Sequence, residues 1–224
     1  MRKKLSIAIL LLSVPISVLL AATVFSDKSY AYLSLVIVVI SLAALFISFE
    51  KKENSARQLI VISIMCVLSI VGRLVFAVIP AFKPVTAIII LLSMYFGGEA
   101  GFICGAMTAL ISNFYFGQGP WTPYQMLAWG LVGLFAGLLA PLLRRNLIIT
   151  CVYGALSGVI FSLIMDIQTA MWYTNEFNLA VYATKIGTSL PFTIIYAVSN
   201  VIFLLLLAKP IGKKIERLKI KYGI

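Results

Sequence analysis

Apolar residues run almost unbroken along this chain, and the few polar positions divide them into segments with the length of membrane helices. Against a hydrocarbon core roughly 30 Å thick, eight stretches qualify: residues 5–25, 30–49, 58–79, 84–97, 99–115, 125–143, 147–171 and 183–208. Two of them, 84–97 and 99–115, are short and meet at the tight turn "GGEAG", which predicts tilted or partly re-entrant helices there. Residues 1–22 also carry signal-peptide features ("MRKK", an apolar centre, then "LLAAT"), but the cleavage pattern is poor and the first helix is expected to be retained.

Composition turns this pattern into a fold class. Hydrophobic residues make up 62% of the 224 positions and charged residues 11%, and mean hydropathy is +1.08. Soluble domains carry about 25% charged residues, so this sequence predicts an all-α integral membrane protein. The net charge of +11 suggests nucleic acid until its distribution is read. With the N-terminus in the cytoplasm, fourteen basic residues face inward, including Arg2, Arg57, Arg144, Arg145, Lys209 and the tail "KKIERLKIKYGI". Only Lys28, Lys83 and Lys185 face outward, with Arg73 inside a helix. That is a positive-inside pattern, with both termini cytoplasmic and the tail held on anionic lipid; no nucleic-acid partner is expected. Cys66, Cys104 and Cys151 are scattered and read as packing residues.

The chain has no histidine and no G-x-x-x-x-G-K-[ST] loop. This removes Ser-His-Asp chemistry, histidine-containing zinc sites and ATP hydrolysis by a phosphate loop. Neither an enzyme nor a metal or cofactor site is expected.

Polar groups inside a membrane are costly, so their depth is informative. At about 1.5 Å per residue, Arg73 lies roughly 24 Å above the cytoplasmic start of its helix and Asp166 roughly 30 Å above Leu147. Lys83, Asn113, Gln118, Trp121, Gln125, Gln168 and Trp172 join that outer layer. Each has a plainer reading: Arg73 and Asp166 neutralise one another, Asn113 caps its helix, and Trp121, Trp129 and Trp172 anchor the interface. Taken together they favour an amphiphilic pocket, because anchors need neither clustered amides nor the turn in "SNFYFGQGPWTPYQMLAWG" (112–130). In that stretch the glycines permit the turn, the prolines stiffen it, and Trp121 and Tyr124 supply area facing a ligand. Glycines at four-residue spacing (Gly97, Gly101 and Gly105; Gly133 and Gly137; Gly154 and Gly158) suggest close helix packing within the bundle or against another subunit.

The run "GRLVFAVIPAFKPVTAIIILLSMYFGGEAGFICGAMTALISNFYFGQGPWTPYQMLAWGLVGLFAGLL", with "GR", "KP", "SNF", "GQGPWTP" and "AWG" in order, resembles the substrate-binding S components of energy-coupling factor (ECF) vitamin transporters. The likeness covers about residues 57 to 210 and is nearest the cobalamin-specific branch. It implies a six-helix core over 57–212, preceded by an additional helix pair in 1–56 and followed by a basic tail, 213–224. It also implies an outward-facing vitamin site, with Arg73, Lys83, Asn113, Gln118, Trp121 and Gln125 as binding or loop-forming residues. Asp166 and Trp172 join them on the depth argument alone. Partners follow from the resemblance as well: a membrane coupling subunit and two ATP-binding subunits. Many members dock through an AxxxA face on the first core helix. Here those positions are Ser63 and Val67, with Ser63, Cys66 and Ser69 forming a small-residue stripe.

Two functions therefore compete: a binding subunit of an ATP-driven vitamin importer, for cobalamin or a related vitamin, and a stand-alone secondary transporter or channel. The second predicts inverted repeats and polar groups at the midplane; no internal repeat is visible, and the polar layer lies further out.

Overall fold

The computed structural model describes residues 7–13, 15, 16, 36, 37, 39, 40, 43, 55–174 and 177–223. Every regular element among them is helical: α1 (Ser55–Val75), α2 (Val85–Phe96), α3 (Gly98–Phe116), α4 (Trp121–Leu138), the single turn α5 (Ala140–Leu143), α6 (Leu147–Thr174) and α7 (Leu179–Tyr222). The protein is an all-α membrane protein. Ala56–Val75, Leu147–Tyr173 and Leu179–Tyr222 are long and apolar enough to span a bilayer. The expected N-terminal helix pair lies mostly outside the described residues. Of those that are described, Leu10 and Ile37 are fully buried in the same apolar cluster as Ile89 and Phe102.

The bundle is organised around α2. Eleven of its twelve residues are buried, Tyr95 being the exception, and it contacts α1, α3, α4 and α7. At about 1.5 Å per residue this helix is roughly 18 Å long, too short to cross the bilayer. The chain makes up the difference with turns. After α1 it folds back through Phe76–Ala81, where Ala81 takes a positive φ of 62°, and Pro84 then starts α2. Lys83 is therefore carried inward, against α7, rather than left at the outer surface: its backbone N–H donates to Ser199 Oγ at 2.9 Å.

Helices α3 and α4 approach until backbone meets backbone. A Cβ on Gly133 would lie 2.4 Å from the carbonyl carbon of Gly101. At Gly158 a Cβ would come within 2.8 Å of the Ala197 nitrogen, which brings α6 equally close to α7. The glycine repeats thus pack inside the bundle. In lipid, where the hydrophobic effect does not press helices together, such close contact supplies much of the packing energy. Polar ties add to it: Asn200 Nδ2 donates to Gly154 O at 2.9 Å, and the Tyr153 hydroxyl donates to Val132 O at 2.6 Å.

The basic tail is not a separate segment. α7 continues through Pro191 and Pro210 to Tyr222, and its last turns dock on the end of the bundle opposite Lys83. Ile215 is buried, Lys219 Nζ donates to Tyr95 O at 2.7 Å, and Arg57 donates to Tyr222 O at 3.0 Å. Arg144 meets Glu216 at 3.8 Å. The boundary expected at residue 213 falls within this helix.

Candidate functional site

Three helix ends gather polar groups at one end of the bundle. Arg73 stands in the last turn of α1, Ser112 and Asn113 near the end of α3, and Thr122 and Gln125 in the first turns of α4. The Gly117–Pro120 turn holds α3 and α4 at this spacing, with Gly117 at φ 98°, a left-handed conformation that glycine adopts without strain. Arg73 is nearly buried, at 7% exposure. Its guanidinium donates to Ser112 Oγ, to Asn113 Oδ1 at 2.9 Å and to Gln125 Oε1 at 3.4 Å. Asn113 Nδ2 in turn donates to Gln125 Oε1 and Thr122 Oγ1, both at 2.9 Å. Thr122 donates to Gln118 Oε1 at 2.9 Å, and Gln118 Nε2 to Leu110 O at 2.8 Å. A continuous side-chain network therefore runs from Arg73 into the turn, and such a network fixes each member's orientation.

Beneath this network lies an aromatic floor. Trp129, one turn beyond Gln125 on α4, is buried and stacks on Phe161 of α6 at 4.8 Å between centroids. Phe161 meets Tyr196 of α7 edge-on at 5.2 Å. Two cations cover the Trp129 ring, the Arg73 Cζ at 5.0 Å and the Lys83 Nζ at 5.7 Å. Lys83 also lies 5.0 Å from the Tyr196 ring and 3.4 Å from its hydroxyl. From the outer side, Phe116 closes over the Arg73 guanidinium at 4.7 Å and remains partly exposed. Trp129 and Phe161 are both buried, and the amides and cations around them already engage one another or the ring faces.

The expected site residues divide on this geometry. Arg73, Lys83, Asn113 and Gln125 come together around Trp129, and Gln118 holds the turn above them. Trp121 is a clasp on that turn: its indole N–H donates to Gly117 O at 3.2 Å, its ring covers Gly119, and its outer face is exposed. Tyr124 reaches sideways to α6, donating to Met171 Sδ at 3.5 Å. Asp166 does not pair with Arg73; it accepts from Ser189 of α7 at 2.7 Å. Trp172 is exposed. Phe161 and Tyr196 were not among the expected residues, and Trp129 was expected only as an interfacial anchor. The four-residue step from Gln125 to Trp129 was the available signal, since it puts both on one face of α4.

The proposed docking stripe divides too. Ser63 and Val67 lie on the exposed face of α1 with Ile60, Ile64 and Val71, whereas Ser69 is fully buried and Cys66 half-buried. At the other end of the bundle a cleft of about 650 Å³ is lined by Tyr95, Arg144, Arg145 and Lys209, among others. Its Arg144 already lies over Tyr95 and beside Glu216.

The sequence model of the ECF-type riboflavin transporter S component matches residues 53–213. The chain belongs to that family. The match names riboflavin rather than cobalamin, so it does not support the cobalamin branch that the motifs suggested. Among curated proteins this S-component family member is similar to a UPF0397 protein of Vibrio atlanticus, 32% identical over 97 residues, which is 41% of this chain and 52% of that protein. A UPF0397 protein of Aliivibrio fischeri is 30% identical over 112 residues, 48% of this chain and 60% of the relative. The chain thus spans between half and three fifths of these relatives' length. No solved structure matches it.

Proposed function

We propose that this chain is the substrate-binding subunit of an ECF-type vitamin importer, and that its ligand sits on the Trp129 floor beneath the Gly117–Pro120 turn. The observation that carries this reading is the network from Arg73 through Asn113, Gln125 and Thr122 into that turn. It couples the pocket's donors to the loop that covers them. A flat heterocycle of flavin type is preferred to cobalamin because riboflavin is the compound in the family's name.

The positive-inside pattern puts the tail of α7 in the cytoplasm and the site toward the outside. Transport then requires a coupling subunit and two ATP-binding subunits, with the exposed face of α1 around Ser63 and Val67 as the docking surface. Titration of the purified chain against a vitamin panel, without nucleotide, tests the binding role. One compound should bind with nanomolar to low-micromolar affinity, and folded protein that binds none would contradict the proposal. In proteoliposomes the chain alone should show no ATP-dependent accumulation, since it carries no phosphate loop. Active uptake by the lone chain, measured with labelled riboflavin, would favour a stand-alone transporter.

Trp121→Ala removes the clasp but no part of the floor. It should weaken binding about tenfold, or about 1.4 kcal/mol, by loosening the turn. The same titration reads this out; a loss of several hundredfold would make Trp121 a direct ligand contact.

A further inference from the structure

At the basic end of the bundle three cations stand where apolar spans stop. Arg144 and Arg145 separate the runs 125–143 and 147–171, and Lys209 follows directly on the run 183–208. All three line one cleft of about 650 Å³, within the roughly 300–1,000 Å³ that accommodates an organic ligand. The rest of its lining is largely apolar. It includes Leu91 and Met94 of α2, both buried, and Leu147, which is exposed at the start of α6.

Among the described residues the charges in this cleft do not balance. Glu216 is the acid in the lining, and it meets Arg144 at 3.8 Å with both side chains about half exposed. Such a pair contributes little in contact with water. No hydrogen bond or ion pair with another described residue engages the side chain of Arg145 or Lys209. The dipole of α6 adds to the positive field, because that helix begins at Leu147 in the same lining.

Cations above an apolar slot, at the edge of the hydrocarbon, match the two halves of a phospholipid. A free anion would use the cations alone and gain nothing from Met94 and Leu147. On the positive-inside reading this end faces the cytoplasmic leaflet, where anionic lipid concentrates. We propose that the cleft is a binding site for an anionic phospholipid, with its phosphate on Arg144, Arg145 and Lys209 and its acyl chains against Met94 and Leu147. The guanidinium groups suit phosphate oxygens in geometry as well as charge. This is a discrete site, unlike a basic tail spread on the membrane surface. The tail is docked on the bundle through Ile215 and Lys219, and two of the three cations come from the turn between α5 and α6.

Native mass spectrometry of the delipidated full chain tests it, with phosphatidylglycerol or phosphatidylcholine of matched acyl chains titrated in neutral detergent. One phosphatidylglycerol should bind saturably, about tenfold or more tighter than phosphatidylcholine. Arg145→Gln with Lys209→Gln should weaken it about thirtyfold, at about fivefold for each basic contact at a membrane surface. Lys214→Gln with Lys221→Gln removes the same charge outside the cleft lining, roughly a third of a turn or more around α7 from Lys209, and should leave the affinity unchanged. All four side chains are exposed, so both double variants should fold, which a melting curve checks. Equal losses in the two would mean a diffuse attraction to the basic end and would overturn the site. Binding of neither lipid, or equal binding of both, would overturn it as well. Glycerol 3-phosphate separates lipid from free phosphate: at equal concentration it should not displace phosphatidylglycerol. Displacement would make the cleft a free-anion site and end the lipid assignment.

Discussion

Gly133→Leu should leave almost no folded protein. The α3 and α4 backbones touch at this point, and even the first side-chain carbon would sit 2.4 Å from the Gly101 carbonyl carbon, with backbone rather than a flexible side chain in the way. The helices have to separate by several ångströms, which removes the packing that holds them in lipid. The expected cost is more than about 4 kcal/mol, the range reserved for substitutions that break a core contact outright. Gly187→Leu is the control: nothing lies within 4 Å of a Cβ there, and replacing a mid-helix glycine gains up to about 1 kcal/mol of helix propensity. Thermal unfolding followed by size-exclusion chromatography distinguishes them. A Gly133→Leu protein that melts like wild type would mean that α3 and α4 do not meet as described.

Arg73→Met should weaken ligand binding by about a hundredfold or more. Truncating one member of a buried, hydrogen-bonded charged network costs about 2–5 kcal/mol, and about 2.7 kcal/mol corresponds to a factor of one hundred. The loss has two parts: the cation facing the ligand disappears, and Asn113 Oδ1 loses its donor, so the turn above the site loosens. Arg73→Lys should recover little, because a single ammonium cannot serve Ser112, Asn113 and Gln125 at once. The fold should survive, since Asn113 still bonds to Gln125 and Thr122. Titration beside a melting curve separates the effects; unchanged affinity in a folded Arg73→Met protein would remove Arg73 from the site.

The helices of this protein were legible because apolar runs and turn residues mark membrane spans directly. The expected starts at residues 84, 99 and 147 fall within one position of Val85, Gly98 and Leu147. That Arg73, Asn113 and Gln125 share one end of the bundle was legible for a related reason: position along a helix follows from counting residues. Rotation about the helix axis was not. In α6 most positions are apolar and the polar ones do not mark one face, so the pattern does not say which way Asp166 points, and it turns to Ser189 instead of Arg73. The same ambiguity hid Trp129, which on an apolar helix near its outer end looks like an interfacial anchor. Lys83 was placed in the same layer, but its contacts with Trp129 and Tyr196 were not legible. The backbone reversal at Ala81, ahead of Pro84, takes it inward, and a positive φ at alanine has no mark in the sequence. Likewise the last apolar run ends at residue 208, yet α7 continues through Pro210 and the tail packs against Tyr95.

The central claim is that a vitamin-like molecule occupies the Trp129 site, and mass spectrometry of the small molecules released from purified protein addresses it most directly. Wild-type protein and Trp129→Phe, which keeps an aromatic floor but loses the indole face under both cations, are prepared side by side and heat-released. The account predicts one heteroaromatic compound in near-stoichiometric amount from wild type, strongly depleted in Trp129→Phe. Equal release of the same compound from both folded proteins would place the ligand elsewhere and contradict the account.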